Sequence, residues 1–223
     1  MNEETYTIPL FPLGKVVFPG VSVRLQIFEE RYKKMLEYCL DQNEGFGIVL
    51  IKEGMEAHGP LAEIHAVGSM VEIIELEKLP DGRFNLNCAG ENRFKVIQEN
   101  RDGEFLRGSV VWLPFNKTGS QKLQSETYNF SDLVKVYIKK IAPEQASVLD
   151  TIMFPEETLS QAIFAAEFLQ VPQKKKQELL EIENQYKFIQ EVAAAFQHEL
   201  ILIDKINELK NSASNKNGEE YLN

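Results

Sequence analysis

The feature that most constrains the fold is the segment Val67–Val96, where two strand-like runs flank a turn at Pro80-Asp81-Gly82. Asp-Gly between strands is a strong hairpin signal, because glycine adopts positive φ without a Cβ clash and aspartate can bond its own backbone. After the turn, apolar and polar residues alternate, which is typical of a strand with one buried face. The segment therefore predicts a long β-hairpin.

Each arm of this hairpin carries an irregularity. In the first arm Val71 and Ile73 share one phase of the alternation, whereas Ile74 and Leu76 share the other. This change of phase predicts a β-bulge at Ile73-Ile74, a feature that bends a sheet. In the second arm, Gly90 is predicted to break the strand before it resumes. A long hairpin bent in both arms is typical of a small closed or nearly closed β-barrel.

Periodicity predicts the remaining elements. Before residue 115 we predict strands over 6–10, 21–27, 45–51 and 105–113 and an amphipathic helix over 29–41. Pro9 and Pro12 are expected to keep the first strand at a sheet edge or to end it early. After residue 115 the apolar period is helical, and we predict helices over 123–141, 155–169, 172–183 and 184–210. The sequence therefore predicts a β-rich domain over 1–115, a helical domain over 116–210 and a disordered tail over 211–223.

Charge and composition argue against several classes of protein. The first 115 residues carry 12 basic and 18 acidic residues and the remainder 12 and 16, so neither part is a basic module for nucleic acid or anionic membranes. No run approaches the roughly 18 apolar residues of a membrane span, and the first ten residues lack the pattern of a secretory signal. A cytoplasmic location is expected, with Cys39 and Cys88 as buried free thiols.

Three parts of the sequence, in order, carry a resemblance to a known family: Ile8–Gly20, then Val67-Gly68, then Leu79–Gly82 together with Gly90–Phe94. At this spacing they resemble the amino-terminal, substrate-binding domain of Lon proteases. The resemblance implies an amino-terminal PUA-like bent β-barrel with one helix. The helical period that follows predicts a carboxy-terminal α-helical bundle ending in a long helix, so the expected fold class is α+β.

The sequence departs from a whole Lon protease in its catalytic motifs. A phosphate-binding GxxxxGK[ST] loop is absent, because the only Gly-Lys pair, Gly14-Lys15, is followed by valine and lacks the earlier glycine. The resemblance therefore implies a stand-alone member without the ATPase and protease domains. It implies binding of a substrate or partner, and neither ATP hydrolysis nor peptide cleavage. We expect no enzymatic activity and no cofactor.

Other motifs that suggest chemistry are incomplete. His198-Glu199 begins like a zinc-protease HExxH motif, but position 202 is leucine, so a solvated helix face is expected. His58 and His65 have a poor spacing for a metal site and are interpreted as surface histidines. The run of lysines at 174–176 is interpreted as a solvated face. We therefore predict no catalytic, cofactor-binding or metal-binding residues.

Four apolar residues are candidates for binding a partner. Phe11 and Phe18 lie in the proline-rich opening, where they either pack in the core or line a hydrophobic groove on the barrel. The segment 200–203 is apolar on all sides, so Ile201 and Leu202 cannot both face the same seam as their neighbours. That helix is either sandwiched between neighbours or offers a second face for self-association or for a partner.

The leading hypothesis is a non-catalytic binding module that captures apolar segments of partner or unfolded proteins. Its ligand would be a protein or peptide, held by strand addition at an unpaired barrel edge. Neither nucleic acid nor membrane is expected as a partner, and homo-oligomerisation through the last helix stays open. The alternatives are an RNA-binding PUA-like module and a hydrolase with an unrecognised site.

Overall fold

The structure, a computed structural model, describes residues 4–55, 62–117, 128–145 and 152–219, with side chains as far as residue 210. The fold is α+β, with its strands and helices in the predicted order. The strands are β1 (Tyr6–Leu13), β2 (Ser22–Ile27), β3 (Phe46–Glu53), β4 (Glu63–Lys78), β5 (Phe84–Asn100) and β6 (Arg107–Trp112). The helices are α1 (Glu30–Gln42), α2 (Phe130–Ile141), α3 (Thr158–Phe168), α4 (Gln173–Leu180) and α5 (Gln185–Glu219), with a 3-10 turn at Pro143–Gln145.

The strands close into a barrel because β5 changes its neighbours along its length. Its second half pairs with β6, and the ring continues through β1 and β3 to the first half of β4, which pairs back with β5. Its first half pairs instead with β2 and with the distal half of β4. A three-stranded sheet thus extends beyond the closed barrel, and the predicted bent β-barrel is confirmed.

Both arms of the hairpin are bent, as predicted. The register between β4 and β5 shifts between Ile73 and Glu75, which confirms the predicted bulge, and shifts again just before Val71. The prediction that Gly90 breaks the second strand is wrong, because β5 continues through this residue. A Cβ atom on Gly90 would lie 2.4 Å from the backbone oxygen of Phe18, so glycine permits a close approach of two backbones here.

The prediction that Pro9 and Pro12 hold β1 at a sheet edge is wrong. The strand runs on to Leu13 and lies between β3 and β6. Its first half pairs with β6 and its second half with β3, so each proline pairs with a neighbouring strand on one side only. Proline has no backbone N–H. The side of each proline that would carry one therefore has no neighbouring strand to accept it.

Helix α1 covers one face of the hairpin. Its buried residues are Tyr32, Met35, Leu36 and Cys39, as the helical spacing predicts. They pack in one cluster with the apolar residues of β2 and with Leu86 and Cys88 of β5. Both cysteines are buried free thiols, which confirms that prediction.

The helices share a core with the barrel. Helices α2, α3 and α5 pack against one another around Tyr137, Phe188 and Phe196. The same cluster contains Phe18 from the connection between β1 and β2 and Val67 from β4, so the two parts are joined by buried apolar contacts. The domain boundary between residues 115 and 116 stays a prediction. None of the helices in the described ranges is long and apolar enough to cross a membrane.

Helix α5 is longer than the sequence predicted. It continues to Glu219, which gives 35 residues and a length of about 52 Å at 1.5 Å per residue. The predicted end was residue 210. The disordered tail over 211–223 stays a prediction, and its last four residues lie outside the described ranges.

Arg93 joins the barrel to the helices. Its side chain on β5 is 3% exposed, and its Nη1 donates hydrogen bonds to the carbonyl oxygens of Leu180 at 2.7 Å and Ile182 at 2.6 Å. The guanidinium carbon lies 3.5 Å from the centre of the Phe115 ring. Burial lowers the pKa of Arg93 to about 10, which still leaves the group charged at neutral pH. A charged donor therefore binds the carbonyl groups at the end of α4.

Arg93→Met should destabilise the fold by roughly 2–4 kcal/mol, because the carbonyl oxygens of Leu180 and Ile182 would stay buried without their charged donor. The free energy of unfolding in urea measures this. Arg24→Met is the matched control, since Arg24 is exposed and should change stability by no more than about 0.5 kcal/mol. Equal stability of the two variants would contradict the role of Arg93.

The two thiols should be unreactive in the folded protein. Burial raises the pKa of both Cys39 and Cys88 to about 12, so the reactive thiolate is scarce at pH 8. Because this folded pKa lies above that of an unfolded thiol, the shift favours the folded state below the unfolded value, and this stabilisation is lost as pH rises towards 12. Labelling with iodoacetamide at pH 8 should be slow in buffer and fast at both cysteines in denaturant. Fast labelling of the native protein would contradict the burial.

Candidate functional site

The three-stranded extension of the barrel forms a cleft. Its walls are β2, the first half of β5 and the distal half of β4 over residues 72–78, and its volume is about 490 Å³. Within the described residues, β2 and the distal half of β4 each pair with β5 on one side and have no strand on the other. The extension therefore has two edges whose backbone groups are available for pairing.

The apolar face of the extension is only partly covered. Leu25, Leu86 and Leu76 lie side by side across the three strands. Leu25 and Leu86 are buried, but Leu76 is 40% exposed at the outer strand. The distal half of β4 therefore extends beyond the apolar cluster that α1 helps to form.

The opposite face of the extension is polar. Asn85 accepts a hydrogen bond from Gln26 at 3.1 Å and donates one to Glu77 at 3.0 Å, which links all three strands through side chains. Asn87 and Glu75 form a longer contact of 3.5 Å one step along the sheet. These cross-strand bonds fix the spacing of the strands next to the cleft.

The bulge in β4 places an apolar side chain outside the barrel. Ile74 lies at the register shift between Ile73 and Glu75, and it is 54% exposed. Ile74 and Leu76 are thus two exposed apolar side chains on a strand that has a free edge. Such an edge can pair with an extended chain through backbone hydrogen bonds and contact its side chains through the two apolar residues.

The turn at the tip of the extension is stabilised by local hydrogen bonds. Gly82 has φ of 81°, the conformation that the Asp-Gly signal predicts. The Asp81 carboxylate accepts hydrogen bonds from the backbone N–H of Arg83 at 3.1 Å and from its Nε at 2.7 Å. The side-chain hydrogen bond from Arg83 is the main cause that lowers the pKa of Asp81.

The structure does not bring the four predicted binding residues together. Phe11 is 7% exposed and packs on Tyr32 at 4.5 Å between ring centres, and Phe18 is 1% exposed in the cluster shared with the helices. Both rings therefore lie in the core, the first of the two interpretations. Ile201 and Leu202 are 54% and 39% exposed on α5, so the helix is not sandwiched there within the described residues. A partner for these residues stays a prediction.

The residues of the incomplete motifs lie in ion pairs or at the surface. Lys15 forms an ion pair with Glu167 at 2.5 Å, and His198 is exposed on α5. His65 lies 3.5 Å from Glu181, whereas His58 lies outside the described residues. Among the described residues, no group of three or more His, Cys, Asp or Glu side chains could hold a metal ion.

The prediction that the lysine run at 174–176 is a solvated face is wrong at its last residue. Lys176 is 4% exposed, and its Nζ donates a hydrogen bond to the carbonyl oxygen of Glu167 at 2.7 Å. Burial lowers its pKa, and the nearby Glu167 carboxylate acts in the opposite direction. The lysine therefore ties α4 to the end of α3.

Comparison with known proteins identifies the family. The model of the ATP-dependent protease La (LON) substrate-binding domain matches residues 7–194. The chain belongs to this family. It is 26% identical to Lon protease of Escherichia coli over its whole length but covers 29% of that protein, and 23% identical to Lon protease of Treponema pallidum, of which it covers 25%.

Solved structures share the fold of this LON substrate-binding domain. The crystal structure of a Lon N-terminal domain protein from Xanthomonas campestris has a TM-score of 0.62 at 24% identity, covering 85% of this chain and 98% of that one. The N-terminal domain of a Mycobacterium avium complex Lon protease has a TM-score of 0.61 at 12% identity, covering 86% and 98%. The predicted family and the predicted α+β fold are confirmed.

The sequence of this LON substrate-binding domain predicts the bulge in β4 but not the free edge of that strand. The change of phase at Ile73-Ile74 predicts the bulge, and a bulge necessarily moves one apolar residue to the outer face. The change of phase does not show that β3 ends its pairing with β4 at Val71. This end of the pairing leaves the distal half of β4 without a second neighbour. Ile74 and Leu76 were therefore missed as site residues.

Proposed function

We propose that this LON substrate-binding domain captures extended, apolar segments of other polypeptides at the distal edge of β4. The observation that carries the proposal is the combination of a free strand edge with two exposed apolar side chains, Ile74 and Leu76. A captured segment adds a strand to the extension, with β4 as its neighbour. The likeness to Lon proteases, of which this chain covers under a third, supports a role in recognising substrate proteins.

The backbone and the side chains of this edge contribute differently to binding. Backbone hydrogen bonds supply affinity without regard to sequence, because every non-proline residue offers one donor and one acceptor. Ile74 and Leu76 favour ligands with apolar side chains at matching positions. Such an edge accepts many unfolded chains and rejects folded ones, whose strands are already paired.

Charge around the cleft supports a polypeptide ligand over a nucleic acid. The cleft is lined by Glu75 and Glu77 and by a single cation, Arg24, among the described residues. Phosphate groups need clusters of basic side chains, and carboxylates at the same place repel them. The RNA-binding alternative therefore gains no support from this surface.

We also propose that capture proceeds without catalysis by these 223 residues. The sequence contains no phosphate-binding GxxxxGK[ST] loop. Both thiols are buried, and burial raises the pKa of each to about 12, which disfavours the nucleophilic thiolate. Binding and release of the segment are then governed by the edge alone.

Ile74→Lys should weaken capture at least fivefold, because a charge on a strand edge opposes pairing and an apolar contact is lost. The measurement is fluorescence anisotropy with a fluorescein-labelled peptide of about ten alternating valine and threonine residues. Its extended preference suits strand addition.

Ile97→Lys is the matched control for that substitution. Ile97 is 57% exposed and lies at the register shift between Val96 and Gln98, where β5 pairs with β6 and has no free edge on that side. The control should bind the peptide as the wild-type protein does. If both variants lose binding equally, or if neither does, the distal edge of β4 is not the site.

A further inference from the structure

Charged and apolar side chains alternate over residues 75–77 of the β4 edge. Glu75 and Glu77 lie opposite Asn87 and Asn85 of β5, so both carboxylates share the polar face of the extension. Leu76 lies between them in sequence and points to the other face. All three side chains of β4 are exposed. A strand that pairs with this edge therefore meets two carboxylates on one face and an apolar side chain on the other.

Within the described ranges, neutral amides rather than cations bind these two carboxylates. The side-chain amide of Asn85 donates to Glu77 at 3.0 Å, and that of Asn87 makes the longer contact of 3.5 Å with Glu75. An amide donor carries no charge, so it does not balance a carboxylate as an ammonium or guanidinium group does. A cationic ligand can therefore supply the counter-charge that the sheet itself does not.

On the polar face, two arginines lie towards the other free edge of the extension. Arg24 is on β2 opposite Asn87, so two strand spacings of about 4.8 Å separate its backbone from that of Glu75. Arg83 at the tip donates a hydrogen bond to the side-chain oxygen of Gln26 on β2 at 2.8 Å. The β2 edge of this face is therefore basic, and the β4 edge is acidic.

The other charged side chains of the distal half of β4 strengthen this difference. Lys78 pairs with Phe84 of β5, and its ammonium lies 5.7 Å from the centre of that ring. Because position 78 follows Glu77 directly, the lysine points to the apolar face, away from the carboxylates. Glu72, before the bulge, pairs with Ala89 and adds a third carboxylate to the polar face.

Cross-strand neighbours decide which ligand strand suits the edge. Side chains directly opposite each other in a sheet have Cβ atoms about 5 Å apart, where opposite charges attract and like charges repel. Two ligand residues opposite Glu75 and Glu77 are two positions apart, so both point to the polar face. The ligand residue between them points to the same face as Leu76. The matching pattern in the ligand is therefore basic, apolar, basic.

We propose that the β4 edge selects polypeptide segments in which lysine or arginine alternates with apolar residues. This selection rests on the proposed capture of extended segments at the same edge. The basic residues of the segment pair with Glu75 and Glu77, and the apolar residue between them contacts Leu76. Such a segment binds at β4 rather than at the β2 edge, where Arg24 repels it. A segment that alternates carboxylates with apolar residues is disfavoured at β4.

The test compares three fluorescein-labelled peptides of about ten residues, in which valine alternates with lysine, threonine or glutamate. Fluorescence anisotropy at low ionic strength should show that the lysine peptide binds about tenfold more tightly than the glutamate peptide, with the threonine peptide between them. Glu75→Gln/Glu77→Gln should remove most of this preference, because glutamine keeps an acceptor oxygen but carries no charge. Glu75→Lys/Glu77→Lys should reverse it.

Glu144→Gln/Glu156→Gln is the matched control for the glutamine variant. Both residues are exposed and lie outside the barrel, and the two variants have the same net charge. The control should keep the full preference for the lysine peptide. If it loses the preference as the β4 variant does, or if the β4 variant keeps it, the attraction comes from the net charge of −10 and the proposed selection is overturned.

The threonine peptide separates this selection from capture itself. If Ile74→Lys weakens binding of the threonine peptide while the wild-type protein binds the lysine and glutamate peptides equally, the edge captures segments without regard to charge. Only the selection then fails. If Ile74→Lys leaves binding of the threonine peptide unchanged, the distal edge of β4 is not the site, and capture and selection fail together.

Discussion

Strand β5 is shared between the closed barrel and its three-stranded extension, and this division determines the shape of the sheet. Its second half closes the ring through β6, while its first half turns outward with β2 and the distal half of β4. A strand can change neighbours in this way only where it bends, and the two register shifts between β4 and β5 supply the bends. Closure of the barrel and exposure of a free edge therefore both depend on these two register shifts in the hairpin.

Arg93 joins the bent hairpin to helix α4 by hydrogen bonds. It sits on β5 opposite Ser69, just beyond the register shift, and its guanidinium binds carbonyl oxygens at the end of α4 and just after it. Gln177 of α4 donates a hydrogen bond back to the carbonyl oxygen of Val67 at 3.0 Å. Polar bonds thus pass in both directions between the hairpin and the same short helix. Unlike apolar contacts, these bonds are directional, so they fix the orientation of the helices on the barrel.

Much of the fold follows from local sequence signals, for reasons that are physical. The Asp81-Gly82 turn, the phase change at Ile73-Ile74 and the helical spacing of α1 depend only on neighbouring residues, and all three were predicted correctly. The place of β1 was not, because Pro9 and Pro12 suggest an edge while the strand changes partners between them. Which strand lies beside another depends on residues far apart in sequence, and a single periodic pattern does not carry that information.

The candidate site shows the same limit. Exposure of Ile74 and Leu76 depends on where β3 stops, and burial of Lys176 depends on how α3 meets α4, neither of which is local to the residue. Phe11 and Phe18 were expected to bind a partner from their place in the proline-rich opening, and Ile201 and Leu202 from their position off the seam of α5. A place in a proline-rich segment does not distinguish a core residue such as Phe18 from a surface residue, because only the fold separates the two.

A free, apolar strand edge normally invites a protein to aggregate with itself, and the sequence of this edge opposes that outcome. Glu72, Glu75 and Glu77 accompany Ile74 and Leu76 along the distal half of β4, and all five side chains are exposed. Two copies that paired along this edge would bring glutamates close to glutamates, since cross-strand neighbours of like charge destabilise a sheet. An unfolded segment without such a run of carboxylates meets no comparable repulsion. The glutamates therefore oppose pairing of the edge with its own copies, and the proposed capture of other chains meets no such opposition.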